Sequence, residues 1–473
     1  MTYIQGPQEE ENGRWADIFT GRTGIYTLVL GLGMALFAIN QFVVTTIMPT
    51  VLKDLGGVQF YSWAFSLFAV GAIIGAASAH GLRETFGLKR AYAGAGILLG
   101  LGLAGAALAQ DMPTLVGWRL VQGIGGGALA SQGYGLVAIA YPQHLRSRIL
   151  GVVSTIWGTA TIMGPGFGAA FAEPTLWRWA FLGLLPFIGL FVFLVWKRID
   201  STSADGHLSS LPFLRLALLT LSVFLISSTS LTETLWVSSM MVLMAIFFAI
   251  LTFKLDTRSK HNMFPHGITT LSTELGSVYW ILFFGSIVLA IVNTYSTFYL
   301  QVLHGVSPFV AGYLFAIQSI MWTISALFVS TLPRRFESTC LVVGLFFIFV
   351  GAIGVWLTVN SGPVATIAIA IAFTGIGLGF INNPTIQRII SIVPEKEKHM
   401  AGASVQAIRN IGISFGAAAS GLVAAATGLA PGAGREAIAT SMTWVYGVNA
   451  TFALLALAMT IPMFLARRRT PTG

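Results

Sequence analysis

The 473-residue chain predicts an all-α polytopic membrane protein with 14 transmembrane helices, on three observations. Hydrophobic residues make up 55% and charged residues only 9%, against roughly 25% charged in an average soluble chain. The apolar residues come in runs of about 20, the length that crosses a bilayer as a helix. Lysine and arginine gather in the short segments between alternate runs. Disorder, a coiled coil and nearly any soluble enzyme are excluded. So is a β-barrel, whose strands would alternate polar and apolar residues over ~10-residue segments.

The runs 24–44, 60–78, 91–109, 114–138, 149–171 and 179–195 form a first set of six. Two more follow at 212–230 and 235–253, and a second six occupies 278–300, 311–332, 339–359, 365–390, 403–425 and 442–465. The 53 glycines suit helices that approach closely through small faces in lipid. With the N-terminus placed in the cytoplasm, 21 of the 26 lysines and arginines fall on the inner side. Three (Lys53, Arg178, Arg435) fall outside, and Arg119 and Arg409 lie inside spans. That bias predicts an even span count in a bacterial inner membrane, with both termini cytoplasmic.

The expected organisation is a cytoplasmic tail (1–22), a six-helix bundle (23–198), an inserted two-helix hairpin (199–261), a second six-helix bundle (262–466) and a basic tail (467–473). The bundles are expected to be parallel repeats about an axis along the membrane normal; a basic segment follows the second helix of each, at 84–90 and 333–337. The first 20 residues hold Glu9, Glu10, Glu11 and Asp17 and do not read as a cleavable signal peptide. The net charge of +9 is a topology signal and calls for no nucleic-acid partner. Cys340, the one cysteine, allows neither an intrachain disulfide nor a thiol–metal cluster. No histidine pair has metal-ligand spacing, and the glycines at 123–127 lack the strand and Lys-Ser/Thr of a phosphate loop. They read as a helix-packing face. No cofactor, metal or catalytic residue is expected, and an ATP-driven pump is excluded for this chain alone.

Several segments carry a resemblance. His80-Gly-Leu-Arg-Glu-Thr-Phe-Gly-Leu-Lys-Arg90, Gly117-Trp-Arg-Leu-Val-Gln-Gly-Ile-Gly125 and Gly164-Pro-Gly-Phe-Gly168 resemble the loop after helix 2, the helix 4 motif and the helix 5 antiporter motif of the major facilitator superfamily. Trp177-Arg-Trp-Ala-Phe181 and 298–312 are similar to segments of its fourteen-span drug–proton antiporter branch. The resemblance implies two six-helix bundles, two extra central helices and no enzymatic activity. It implies a gating role for Glu84, Gly87, Lys89, Arg90, Gly164 and Pro165. In the family pattern an aspartate nine residues before the helix 1 proline carries the coupling proton. Counting back from Pro49 reaches Asn40, a neutral amide, which argues against that proton cycle. Transport down the substrate gradient, or coupling on the substrate or at Glu274, stays open.

The remaining candidates follow from the cost of polar groups in lipid. A charge at the bilayer centre costs at least ~2.5 kcal/mol, so intramembrane Arg119 and Arg409 should face a cavity or a partner. Gln122 falls near the face of Arg119 at i+3. No carboxylate lies deep in a span; Glu274, in the first turn of the seventh helix of the two bundles, complements the helix dipole. Asn293, Thr297 and Gln301 share one helix face, with a second stripe at Tyr295 and Tyr299. Asn382 and Asn383 precede Pro384, Gln406 pairs with Asn410 at i+4, and Gln318 sits within a span. Each has a plain alternative as an interhelical hydrogen bond worth ~0.6 kcal/mol.

The expected function is alternating-access secondary transport, exporting a small organic or amphiphilic compound that is drug-like, lipid-like or anionic. Import or facilitation of an organic anion, such as a siderophore-like or metabolite acid, is the alternative. A lipid-handling membrane enzyme or sensor would need an interfacial polar cluster or an extramembrane domain, and neither is visible. The expected partners are a small-molecule substrate, membrane lipids and protons, with the chain working as a monomer.

Overall fold

The computed structural model describes residues 15–200, 213–232, 234–259, 264–394 and 397–469. The acidic tail with Glu9–Glu11, the segment 201–212, Lys260, His261 and Lys396 lie outside these residues.

Among the described residues the structure is built from helices. In chain order they are α1 (Gly21–Leu55), α2 (Trp63–Ala107), α3 (Met112–Ala140), α4 (Gln143–Ala170), α5 (Trp177–Leu182), α6 (Leu185–Arg198), α7 (Phe213–Ser228) and α8 (Leu235–Thr257). There follow α9 (Glu274–Val302), α10 (Pro308–Ser330), α11 (Glu337–Thr358), α12 (Val364–Ile392), α13 (Lys398–Ala426), α14 (Arg435–Ala458) and α15 (Thr460–Arg469). Twelve segments are long and apolar enough to cross a membrane. Helices α3 and α4, of 29 and 28 residues, are long enough as well at 1.5 Å per residue and complete 14 spans.

Several boundaries differ from the sequence reading. The second and third spans are one element, α2, broken only at Gly87, whose φ of 77° lies in the left-handed region that a Cβ disfavours. Charged residues around it are good helix formers, so the expected loop 84–90 is helical on both sides of that glycine. Helix α1 runs on through Pro49 to Leu55, and α13 begins at Lys398 rather than 403. The sixth span is divided into α5 and α6, with Pro186 in the first turn of α6. Asp111 caps α3 by accepting from the Thr114 N–H at 2.7 Å, which holds its carboxyl below the usual range.

Polar contacts establish which helix ends share a face. Arg22 and Tyr26 at the start of α1 meet Asp200 after α6, and Tyr141 after α3 meets Thr27. Arg388 near the end of α12 pairs with Glu274 at the start of α9. These form the basic end of the bundle. At the opposite end Arg178 pairs with Asp54 at 2.9 Å, Ser230 donates to the Gln59 carbonyl and Arg435 to the Leu303 carbonyl.

With α1–α6 as the first half of the chain and α9–α15 as the second, α7 packs on α8, α2 and α13. In the first half α2 and α3 touch backbone to backbone. Gly71 and Gly75 on α2 interlock with Gly123 and Gly127 on α3, where a methyl at any of the four would lie within 2.0–2.3 Å of a carbonyl oxygen. The glycines at 123–127 are thus a helix-packing face.

Candidate functional site

Two regions lie between the halves. At the opposite end the interface is sealed. Proline cannot donate, so Pro49 leaves the Thr45 carbonyl without its i+4 partner inside α1. The Thr297 hydroxyl of α9 donates to that carbonyl at 2.6 Å, and Gln301 Nε2 donates to the Thr46 carbonyl at 3.3 Å. Two members of the Asn293–Thr297–Gln301 stripe are therefore engaged with α1. Asn293, one turn nearer the basic end, is half-buried. Tyr61 stacks on Tyr295 with centroids 5.4 Å apart and contacts Phe298 at 5.1 Å. All three rings are buried.

Small residues let the halves close here. Gly312 of α10 faces Pro165 and Thr46, and a methyl at Gly312 would lie 2.8 Å from the Pro165 ring. Gly166 accommodates Tyr313, Gly421 accommodates Ser62, and Gly164 lets α4 rest on Phe42 of α1. The Gly164–Pro165 pair thus sits where α1, α4 and α10 converge.

Toward the basic end the cleft is polar and open. Tyr134 of α3 is 48% exposed inside a spanning helix and lies within electrostatic reach of Arg409 of α13. Gln406 is exposed and donates to Asn410 Oδ1 at 3.2 Å. Arg409 is half-buried, and its Nη2 donates to Asn382 Oδ1 at 2.7 Å. Asn382 Nδ2 in turn donates to Asn383 Oδ1. Because α13 begins at Lys398, Arg409 stands 11 residues in, about 16 Å along the axis. The apolar span itself begins at Ser404, so Arg409 stands five residues inside it. Arg409 and Asn382 border a small pocket of about 20 Å³, room for about one water, with Ser286, Trp322 and Thr385. A wider groove between α1 and α4, edged by Trp15, Phe19 and Met163, is almost wholly apolar and offers nothing to select a charge.

The other candidates lie elsewhere. Arg119 is 2% exposed in the first half. Its Nε donates to the Ala64 carbonyl at 3.0 Å and Nη1 to Gln122 Oε1 at 2.6 Å, with the guanidinium 4.1 Å above the Phe68 ring. Gln122 Nε2 continues to the Gly102 carbonyl at 3.0 Å. Gln318 is buried against Thr374, joining α10 to α12. Asn40 is fully buried, and neither amide atom has a hydrogen-bond partner. Glu84 is half-buried and Arg90 exposed, while Lys89 lies over Trp196 of the same half at 5.2 Å. In this state Lys89 engages its own half.

Sequence reasoning did not single out Tyr134 or Tyr61. Tyr134 sits among glycine and apolar residues, and only its place on the inner half of the arginine-bearing helix would have marked it. Tyr61 stands at the very start of the run 60–78 and reads as an interfacial aromatic.

The profile of the Major Facilitator Superfamily matches residues 30–417. A protein named as a probable multidrug-efflux transporter of Mycobacterium tuberculosis is 27% identical over 428 residues, covering 87% of this chain and 90% of that one. Among solved structures, an auto-inhibited peptide transporter of the POT family superposes with a TM-score of 0.65 at 14% identity, over 95% and 98% of the two chains. A D-xylose–proton symporter gives 0.64 at 15% identity, over 93% and 97%.

Proposed function

The chain belongs to the major facilitator superfamily, a family of transporters and not of enzymes, and from that premise we propose that it is an alternating-access exporter of small organic or amphiphilic compounds. One observation carries this reading. The halves are sealed at one end by Tyr61, Tyr295, Thr297 and Gly312, while a polar cleft reaches midway from the other. The open end is the basic one, and the positive-inside rule makes it cytoplasmic, in a bacterial inner membrane. A cargo loaded from the cytoplasm or the inner leaflet and released on closure of the basic end is exported. The multidrug-efflux name of the mycobacterial relative supports the same direction.

Gly87 and the charges about it, and the Gly164–Pro165 bend, are the hinge and contact surfaces on which the halves rock. Residue 40 carries no coupling proton, because an asparagine amide does not titrate in the physiological range. Glu274, in the first turn of α9 at the basic end, is held by Arg388. Inside-out vesicles carrying the protein should accumulate amphiphilic dyes above vesicles without it, and an imposed pH gradient should change the rate less than twofold. Uptake confined to right-side-out vesicles would reverse the direction. Gradient-driven accumulation that is lost in Glu274→Gln would assign coupling to that carboxylate.

A further inference from the structure

Each arginine in a described ion pair has a carboxylate: Arg22 with Asp200, Arg178 with Asp54, Arg215 with Asp256 and Arg388 with Glu274. Arg119 and Arg409 do not. Arg119 is closed in by a carbonyl, an amide and an aromatic face, with 2% exposure and no room for a ligand. Arg409 differs. The residue is half-buried, borders a water-sized pocket of about 20 Å³, lies within electrostatic reach of the exposed Tyr134, and is held on one side by Asn382 Oδ1, a neutral acceptor. Among the described residues no carboxylate pairs with it.

A cation at this depth is costly without a counter-charge, and one amide oxygen supplies a dipole rather than a charge. The planar guanidinium keeps donors free for a bidentate oxyanion. Across the cleft stands Tyr134, a further hydroxyl donor, and Trp322 and Leu289 give the same cavity an apolar wall. Resting on the exporter reading above, we propose that Arg409, oriented by Asn382, is the subsite for an anionic headgroup on an otherwise apolar cargo: a sulfonate, carboxylate or phosphate. The cleft then favours anionic amphiphiles over lipophilic cations, which Arg409 repels.

A matched pair of probes tests this on the full-length protein in zwitterionic lipid nanodiscs. 8-Anilino-1-naphthalenesulfonate carries the anion, and N-phenyl-1-naphthylamine is the same ring system without it. Energy transfer from protein tryptophan reports binding of each. The sulfonate is expected to bind more tightly, and Arg409→Gln to weaken it about tenfold or more while the neutral probe changes less than twofold. Arg409→Lys recovers part of the loss. Asn382→Ala, which removes the orienting amide but no charge, is expected to weaken the sulfonate about threefold and serves if Arg409→Gln folds poorly. Equal effects on both probes, or none in either variant, would overturn the subsite. Discs containing phosphatidylglycerol decide the source of the anion. Competition seen in the wild type and absent from Arg409→Gln assigns it to a lipid headgroup, and undiminished binding assigns it to a soluble organic anion. Because binding is read without transport, a vesicle assay that fails leaves this result standing and sinks only the exporter reading.

Discussion

Gly127→Val is expected to leave little folded protein in the membrane. A Cβ at residue 127 would lie 2.2 Å from the Ala72 carbonyl oxygen, just as one at Gly123, one turn earlier, would lie 2.1 Å from the Phe68 carbonyl oxygen. The obstacle is backbone, which cannot rotate away as a side chain can. Helices α2 and α3 would have to separate along their length and lose the van der Waals contact that holds them together in lipid. Overpacking of this kind costs about 3 kcal/mol or more, a large share of a total stability of ~5–15 kcal/mol. Size-exclusion profiles and thermal melts of the purified variant give the measurement. Gly117→Ala, at a position with open space within 4 Å, is the control and should melt as the wild type does. Wild-type yield and melting for Gly127→Val would mean that α2 and α3 are not in backbone contact.

Arg119→Ala is expected to lower stability by about 2–5 kcal/mol and to lower transport with it. The guanidinium joins three segments: the first arm of α2 at Ala64, α3 at Gln122 and, through Gln122, the second arm of α2 at Gly102. Removing it strands the Gln122 Oε1, an unsatisfied buried acceptor costing about 1–3 kcal/mol, takes the second donor from the Ala64 carbonyl, which keeps its place in the α2 ladder, and vacates the space above Phe68. Arg119→Lys keeps the charge but lacks the fork that reaches two acceptors in different directions, so it should recover only part of the loss. Melting temperature and dye uptake measured on the same preparations separate two roles. A loss of transport in Arg119→Ala without a change in melting would make Arg119 a direct participant in transport rather than a tie between helices.

The spans were legible because a bilayer imposes a length and a composition that few other constraints disturb. The basic end was legible for a related reason, since charge in short loops is set by insertion rather than by tertiary contact. What escaped depends on partners far away in sequence. Thr297 and Gln301 were legible as a shared polar face with an interhelical hydrogen bond among its readings, but not the partner of that bond. Their acceptors, the Thr45 and Thr46 carbonyls, lie more than 250 residues earlier in the chain, and one is freed only because Pro49 cannot donate. Arg409 was legible as a charge a few residues inside a span, but its Asn382 partner lies on α12, 27 residues earlier in the chain. The segment 84–90 read as a loop because its charges end a hydrophobic stretch, yet they propagate a helix as readily. Asn40 was recognised as a departure from an acidic position, but its complete burial with both amide atoms unpartnered is a property of the packed bundle alone.

The most direct test of the alternating cleft is the sidedness of one residue. Cysteine placed at Tyr134 in a Cys340→Ala background lies in the open half of the cleft, beyond the seal made by Tyr61, Tyr295 and Thr297. An impermeant maleimide should label it in inside-out vesicles and should not label it in right-side-out vesicles at rest. Labelling from the outside only, or equally from both faces, would contradict a cleft that opens to the basic end and is closed at the other.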